Sequence, residues 1–170
     1  MIDLPVLHTT RCLLNRITEE DILVMRHIFD DRLTRRYLAE LRPLVRTDEG
    51  IRKMLSSFDS FLKKNEGMIW GVRLGDTLIG FVALIDLSYN PTIIYAMHPY
   101  YRMKGYMKEC VSRIVHYIFE KALCNYLRTE VCHGNKVSIY LLQSVGFNVE
   151  KQDKRKAYLR IDGSNVHFAG

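Results

Sequence analysis

The chain has 170 residues, of which 48% are hydrophobic and 26% charged, and its formal net charge is +6. This length suits one domain with one sizeable core, and the balanced composition excludes a wholly disordered chain. No apolar run reaches the roughly 18 residues that span a bilayer, and the N-terminus lacks a secretory signal pattern, so we expect a soluble cytoplasmic protein with no membrane partner.

The positive charge suggests an acidic partner such as a nucleotide cofactor, RNA or a ribosome surface. The basic residues are scattered, however, and many solvated surfaces are mildly basic, so net charge alone decides little. None of the four cysteines belongs to a CxxC pair, and no second ligand pair at zinc spacing follows Cys132 and its neighbour His133. We therefore predict free thiols, with no disulfide framework and no metal site.

In chain order, the first predicted strand covers residues 9–15, and a capping box follows at residues 18–21. The helix that it opens carries apolar residues on one face, namely Ile22, Met25, Ile28 and Phe29. A polar stretch from Asp30 to Arg46 precedes a second helix, which begins after Thr47. The side chains expected to point inward from that helix are Ile51, Leu55, Phe58, Phe61 and Leu62.

The second half of the chain alternates between strands and helices. Gly75-Asp76 predicts a hairpin turn, because glycine adopts a positive φ at little cost. An apolar stripe at helical spacing predicts a long helix over residues 106–121. The other predicted elements are strands at 68–74, 77–86, 92–97, 127–132, 147–152 and 156–161, and a short helix at 138–145.

This order of elements predicts a mixed α/β fold, with one central sheet of about seven strands flanked by helices. The chain contains no repeat, low-complexity segment or linker that would divide it. We expect residues 1–170 to form a single domain, with a loose tail at residues 162–170.

The segment from Ile94 to Met107 joins a strand to the long helix through a basic loop. Arg102 and Lys104 add positive charge, and Gly105 has no side chain to keep an anion from the backbone. The helix start offers unpaired N–H groups and a partial positive charge, which suit a bound phosphate. The chain has no GxxxxGK[ST] or GxGxxG motif, and an ordinary turn would also explain this loop.

A second informative segment runs from Asn135 to Phe147. Asn135 and Ser138 are three residues apart at a predicted helix start, so their side chains can share one face. Both residue types are also favoured helix caps, and capping can coexist with ligand binding.

Together these segments resemble the GNAT superfamily of acetyl-coenzyme A-dependent N-acetyltransferases, from about residue 7 to residue 161. The superfamily's pyrophosphate loop, Arg/Gln-x-x-Gly-x-Gly/Ala, stands here as Arg102-Met103-Lys104-Gly105-Tyr106-Met107, with methionine at the last position. That methionine and the Asn135-x-x-Ser138 pattern before Gly146-Phe147 are similar to the branch of ribosomal-protein alanine N-acetyltransferases. The resemblance implies a mostly antiparallel mixed sheet, in which a splayed parallel strand pair forms the cofactor cleft.

In this family the pantetheine arm of acetyl-coenzyme A lies between the splayed strands, and the resemblance implies that it pairs there with the backbone of Tyr95 and Met97. The Met97 N–H would polarise the thioester carbonyl. Asn135 would bond the pantetheine, and Ser138 would lie near the sulfur. Backbone N–H groups would hold the pyrophosphate, and they come from Arg102, Met103, Lys104, Gly105, Tyr106 and Met107.

Many family members carry a tyrosine four residues before the glycine of the Gly-Phe pair, where it donates a proton to the departing thiolate. That position is Leu142 here. Tyr140 points to a different helix face, so Ser138 is the best remaining hydrogen-bond donor to the sulfur. A free thiol has a pKa of about 8.5, so its thiolate leaves tolerably well without full protonation.

The amine must be neutral to attack, so a base has to be considered. An α-amino group has a pKa of about 7.7–8.0, against about 10.4 for lysine, and needs only a modest base. Asp86 and Glu130 are the first candidates, because strand ends tend to face a cleft. Glu66 and His98 come after them, and a solvated or structural role would explain each of the four residues.

The leading interpretation is transfer of an acetyl group to the N-terminal amine of a protein or peptide, by direct attack in a ternary complex. A polyamine, aminoglycoside or amino acid is the alternative acceptor, although the expected roof at residues 30–50 lacks an acidic bias. Because Leu142 replaces the usual acid, a weakly catalytic acyl-coenzyme A-binding module is a third interpretation. Direct nucleic-acid binding is not expected, since no such motif is present, and a homodimer is left open.

Overall fold

The computed structural model describes residues 3–166, which form a mixed α/β fold as predicted. Four short 3₁₀ turns, Glu19–Asp21, Ala39–Leu41, Pro99–Tyr101 and Gly163–Asn165, accompany the main elements. The strands are β1 (Leu7–His8), β2 (Leu13–Asn15), β3 (Met68–Leu74), β4 (Thr77–Ile85), β5 (Thr92–Met97), β6 (Tyr126–Cys132), β7 (Asn148–Gln152) and β8 (Lys156–Asp162). The helices are α1 (Ile22–Asp30), α2 (Arg32–Tyr37), α3 (Arg42–Val45), α4 (Asp48–Lys63), α5 (Tyr106–Glu120) and α6 (Lys136–Val145).

These strands join one sheet in the order β1-β2-β3-β4-β5-β6-β8-β7. The pair β5–β6 is parallel, and the other neighbouring pairs are antiparallel. The parallel strands are in register only at Thr92 and Arg128, near their N-terminal ends. The strands therefore diverge toward their C-terminal ends, and the predicted splayed pair in a mostly antiparallel sheet is confirmed.

Apolar side chains cover both faces of the sheet. On one face α5 packs its stripe, including the fully buried Ile114 and Ile118, against strand residues such as Trp70. On the other face α1 and α4 pack around Phe81, and the apolar face predicted for α1 is confirmed as buried. In α4, Ile51, Phe58 and Leu62 are buried, while Leu55 and Phe61 are partly buried. Burial of each large aliphatic side chain stabilises the fold by about 1.5–3 kcal/mol. These two layers therefore hold the sheet in place beside the diverging ends of β5 and β6.

The strand predicted at residues 9–15 is confirmed only at Leu13–Asn15, which form β2, and is wrong for residues 9–12. The Thr9 N–H donates to the Cys12 carbonyl at 2.9 Å, and the Cys12 N–H donates to the Thr9 hydroxyl at 2.9 Å. This tight turn reverses the chain, so β1 and β2 pair with each other and the sheet has eight strands. A threonine hydroxyl that bonds its own backbone favours a turn over a continuous strand.

The polar stretch predicted from Asp30 to Arg46 contains the short helices α2 and α3. The carboxylate of Asp31 accepts a hydrogen bond from the Thr34 N–H at 3.2 Å and caps the N-terminus of α2. Helices of six and four residues are too short for an apolar repeat to reveal them, and tertiary packing stabilises them instead.

Several local predictions are confirmed. The Gly50 N–H donates to the Thr47 hydroxyl at 3.0 Å at the start of α4. The carboxylate of Asp21 accepts from the Thr18 N–H at 2.8 Å, as a capping box requires. Gly75 has a φ of 61° in the hairpin between β3 and β4. All four cysteines are free thiols.

The tail predicted to be loose begins in ordered structure, since Asp162 ends β8 and a 3₁₀ turn follows it. Residues 167–170 of that tail lie outside the described range. Within residues 3–166, no helix is both long and apolar enough to cross a membrane. The same residues contain no group of three or more His, Cys, Asp or Glu that could hold a metal ion.

Candidate active-site cleft

The divergence of β5 and β6 opens a cleft with a volume of about 1040 Å³. Residues of both strands line it, together with helix α2 and the starts of α5 and α6. Small-molecule sites typically measure about 300–1,000 Å³. The cleft therefore has room for an extended ligand and for a second, smaller one.

The backbone of β5 presents polar groups to this gap. The N–H of His98, just after the strand, donates to the Ile79 carbonyl of β4 at 2.8 Å. Peptide groups alternate in direction along a strand, so those of Met97 and Tyr95 point away from β4 and toward β6. The two residues expected to pair with a ligand thus direct their donors and acceptors into the cleft.

The basic loop ends at the start of α5. Gly105 is the N-cap of this helix with a φ of 83°, and no side chain caps the helix start. Met103 is also left-handed, with a φ of 64°, which is uncommon for a residue with a side chain. Gly105, Tyr106 and Met107 line the cleft. Open N–H groups and the helix dipole make this end of the cleft suitable for an anion.

The two basic side chains of the loop point in different directions. Arg102 lines the cleft, whereas Lys104 is not among its described lining residues and places its ammonium 5.0 Å from the centre of the Tyr100 ring. Arg102 donates to the Asp31 carboxylate at 2.6 Å and to the Thr34 hydroxyl at 3.1 Å. Burial opposes ionisation of Asp31, but hydrogen bonds from Arg102 and Thr34 outweigh it and hold its pKa below the usual value. The loop is therefore tied to helix α2.

Helix α2 crosses the cleft. Its N-terminus is held by Arg102, and at its C-terminus the Tyr37 hydroxyl donates to the Gly134 carbonyl at 3.2 Å. These contacts connect the loop after β5 to the loop after β6. The expectation that the segment around residues 30–50 forms a roof agrees with this position.

Sequence reasoning missed a basic side chain at the same end of the cleft. The Arg11 guanidinium lies 4.3 Å above the Tyr106 ring and bonds Glu109 at 2.7 Å. Its Nη2 would be 3.1 Å from a Cβ added at Gly105. Arg11 and Glu109 are 98 residues apart in the chain, so no local pattern could have indicated this contact.

The second predicted segment places Asn135 and Ser138 on the other wall of the cleft. The side-chain oxygen of Asn135 (Oδ1) accepts a hydrogen bond from the Ser138 N–H at 3.3 Å, so Asn135 caps α6 and keeps its side-chain N–H₂ for other partners. The hydroxyls of Ser138 and Tyr95 are hydrogen-bonded to each other. Sequence reasoning assigned a role to the Tyr95 backbone and missed its side chain.

The position that often carries a tyrosine in the resembling family is part of the core here. Leu142 is fully buried among the apolar residues of the α5 layer. Tyr140 lines the rim of the cleft and is 76% exposed. Neither residue places a hydroxyl in the interior of the cleft.

The structure separates the candidate bases. Glu130 lines the cleft and bonds the Lys156 ammonium at 3.0 Å, whereas Asp86 and Glu66 are not among the described lining residues. Asp86 directly follows β4 in a left-handed conformation, and its backbone carbonyl accepts hydrogen bonds from the N–H groups of Tyr89 and Asn90. The His98 ring accepts from the Tyr100 N–H at 3.2 Å and caps the turn after β5. Both Asp86 and Glu130 were the first candidate bases because strand ends were expected to face the cleft. Glu130 lines the cleft and Asp86 does not, so the geometry favours Glu130 as the base.

The chain shows clear likeness to known proteins. The model of the acetyltransferase (GNAT) domain matches residues 11–148. The chain is also 28% identical over 166 residues to a protein of Bacillus subtilis (strain 168) named Uncharacterized N-acetyltransferase YoaA, a match that covers 94% of this chain and 91% of that protein.

Two solved structures illustrate the likeness of fold. One is RimL, a ribosomal L7/L12 alpha-N-protein acetyltransferase in complex with coenzyme A, with a TM-score of 0.82 and 10% identity over 93% of this chain and 98% of that chain. The other is spermidine N-acetyltransferase from Vibrio cholerae in complex with coenzyme A and spermine, with a TM-score of 0.78 and 17% identity over 92% and 98% of the two chains. At such identities these likenesses show the fold alone, and the two proteins are named for different acceptor classes.

Proposed function

The chain belongs to the GNAT family of acetyltransferases, and from this premise we propose that it transfers an acetyl group from acetyl-coenzyme A to the N-terminal amine of a protein or peptide. The observation that carries the proposal is the gap between β5 and β6. The peptide groups of Tyr95 and Met97 face it, and the uncapped start of α5 stands at one end.

The described residues fit the phosphate and amide groups of coenzyme A. The N–H groups of residues 103–107 would hold the pyrophosphate at the start of α5, where no side chain caps the helix. The Arg102 N–H, which was expected to join them, already donates to the Pro99 carbonyl at 3.3 Å. Tyr95 and Met97 would pair with the pantetheine amides through their backbone. The Asn135 side chain, whose oxygen already caps α6, would donate to pantetheine through its N–H₂ group.

The chemistry needs few protein groups, because the bound thioester supplies an activated acetyl carbon. The Met97 N–H would stabilise negative charge on the carbonyl oxygen as the amine attacks. The carbon–sulfur bond then breaks with its electron pair going to sulfur, and Ser138 would donate a hydrogen bond to that sulfur. The amine proton would pass to Glu130 directly or through water, since Glu130 is the candidate carboxylate that lines the cleft.

Electrostatics favour an N-terminal amine over a polyamine as the acceptor. Within residues 3–166, three carboxylates line the cleft, namely Glu40, Glu130 and Glu150, and Glu40 is the one of the three without an ion pair there. Glu130 pairs with Lys156 at 3.0 Å, and Glu150 pairs with Arg128 at 3.3 Å. A polyamine carries several positive charges, and Glu40 is the single unpaired carboxylate among these three to meet them. A single α-amine, with a pKa of about 7.7–8.0, needs only one acceptor for its proton.

A second candidate is an acyl-coenzyme A-binding module with little catalysis. The observation that favours it is the burial of Leu142 at the position where many family members carry a proton donor. Under this alternative the cleft would bind the cofactor tightly without turnover on any amine.

The test is to measure release of the coenzyme A thiol with a chromogenic disulfide reagent, and acetylation by mass spectrometry. The acceptors are peptides with free N-termini, the same peptides blocked but carrying lysine, polyamines and aminoglycosides. A blank without acceptor corrects for Cys124 and Cys132, which are partly exposed. We expect turnover confined to free N-termini. Turnover on polyamines would show that the acceptor is a small-molecule amine and not a protein N-terminus. Tight cofactor binding without turnover would show that the protein is an acyl-coenzyme A-binding module.

A further inference from the structure

We propose that the Tyr95 side chain is a positioning residue of this reaction, which holds the Ser138 hydroxyl so that it donates to the departing sulfur. The inference rests on the proposed function. There only the backbone of Tyr95 has a role, and here its side chain receives one as well. It concerns a hydrogen bond that crosses the cleft between β5 and α6.

The contact joins two elements that otherwise diverge. Tyr95 lies on β5, Ser138 lies in the first turn of α6, and both side chains line the cleft. The Ser138 N–H already donates to the side-chain oxygen of Asn135. The backbone of Ser138 is therefore held by the cap, and its hydroxyl is held from across the gap by Tyr95.

Either hydroxyl could donate in this hydrogen bond, and the proposal requires Tyr95 to be the donor. Burial raises the pKa of Tyr95 well above its usual value, although the bond to Ser138 opposes part of that rise. The phenol thus stays protonated at neutral pH, and because its oxygen lone pair is delocalised into the ring it is the weaker acceptor of the two hydroxyls, so we take Tyr95 as the donor to Ser138. Among residues 3–166 the Ser138 hydroxyl has no other hydrogen-bond partner, so its own proton can point into the cleft.

Without Tyr95 the serine has a competing orientation. A helical serine can donate back to a carbonyl three or four residues earlier. Gly134 lies before the helix and its carbonyl already accepts from Tyr37, so the backbone carbonyl of Asn135, three residues back, is the competing acceptor here. Such a bond would turn the hydroxyl proton away from the cleft. Tyr95 occupies one lone pair of the Ser138 oxygen from the opposite side and so favours the orientation that a leaving sulfur can use.

The Tyr95–Ser138 pair brings two hydroxyl groups to the part of the cleft between β5 and α6. Leu142 is fully buried and Tyr140 is 76% exposed, so neither brings a hydroxyl to this part of the cleft. Tyr95 does not transfer its own proton in this scheme. The thiolate leaves with the electron pair of the carbon–sulfur bond, accepts a hydrogen bond from Ser138, and takes its proton from solvent.

Kinetics test the positioning role. Tyr95→Phe keeps the ring and removes one hydroxyl, so we expect kcat to fall about three- to tenfold with the KM for acetyl-coenzyme A nearly unchanged. The double variant with Ser138→Ala should be no slower than Ser138→Ala alone, because Tyr95 acts through Ser138. Tyr117→Phe, which removes the hydroxyl of a tyrosine outside the cleft, is the matched control. Additive losses, or an unchanged kcat, would overturn the inference.

A binding measurement tests the same contact without turnover. The thiolate absorbance of bound coenzyme A, followed against pH, gives the pKa of the bound thiol, which is about 8.5 for a free thiol. We expect a lower bound pKa in the wild type than in Tyr95→Phe or Ser138→Ala, with equal affinity of all three for acetyl-coenzyme A. Equal bound pKa values would refute the inference. A wild-type shift without turnover on any amine would instead refute the proposed function, and the contact of Tyr95 and Ser138 with the bound sulfur would stand as a feature of cofactor binding alone.

Discussion

The ion pair between Arg102 and Asp31 offers a test of how the cofactor loop is tied to helix α2. In Asp31→Asn the side chain keeps an oxygen that can cap α2, because asparagine is as good an N-cap as aspartate. The substitution therefore removes the charge of the pair and leaves the cap in place. The Thr34 N–H and Arg102 donate to the same Asp31 oxygen, at 3.2 Å and 2.6 Å, so an asparagine oxygen there still accepts from Arg102 and only the charge of the pair is lost.

The magnitude follows from the burial of the pair. The two side chains retain 27% and 15% of their exposure, so the pair lies between the exposed and the buried limits. Exposed pairs contribute about 0.2–1 kcal/mol, and breaking a buried pair costs about 3–5 kcal/mol. We expect Asp31→Asn to lower the free energy of unfolding by about 1.5 kcal/mol at pH 7. For a chain of this size the melting temperature should fall by about 3–6 °C.

The free energy of unfolding in urea, measured against pH, tests whether the lost charge of Asp31 causes the loss of stability. The pKa of Asp31 is below its usual value in the folded protein, so its contribution is fully present above the unfolded pKa of about 3.9 and is lost as pH falls through the folded value. The gap between wild type and variant should therefore close in acid. The control is Asp59→Asn, in an exposed pair with Arg16, which should cost less than about 1 kcal/mol.

The same variant tests the position of the loop. Removing a negative charge beside it frees Arg102 to face a bound anion, so the affinity for coenzyme A should rise about two- to tenfold in calorimetric titration. A variant as stable as wild type at pH 7, or a stability gap that persists unchanged in acid, would refute the ion-pair reasoning. Unchanged affinity would refute the placement of the phosphates.

Three further predictions concern single side chains. Gly105→Glu should weaken coenzyme A binding more than about 100-fold in calorimetry, since it puts a carboxylate into the phosphate site at a φ of 83°; unchanged affinity would exclude the loop. Asp21→Asn should lower the free energy of unfolding in urea by about 3 kcal/mol, because it breaks an ion pair with Arg73 in which the two side chains are only 10% and 13% exposed. A loss below about 1 kcal/mol would contradict this. Glu130→Gln should lower kcat at least about tenfold with an unchanged KM for acetyl-coenzyme A, and an equal loss in Glu150→Gln would count against a base role.

Sequence reasoning succeeded where a pattern repeats along the chain. The apolar stripe of α5 extends over four turns, and the predicted helix ends one residue beyond the observed one. The strands at residues 68–74 and 92–97 were predicted to the residue, because glycine and proline mark their ends. It failed at the turn after β1 and at helices α2 and α3, which are too short to carry a period.

By itself, the sequence determined the family, the order of the long elements and the loop that starts α5, because each is encoded by neighbouring residues. Only the tertiary structure decided which side chains meet in the cleft. Tyr95 reaches Ser138 over 43 positions, Arg102 reaches Asp31 over 71, and Arg11 reaches Glu109 over 98. The tertiary structure also decided that Glu130 lines the cleft and that Asp86 does not. Such contacts depend on how the sheet splays and how α2 crosses it, and packing sets both by joining residues that share no local pattern.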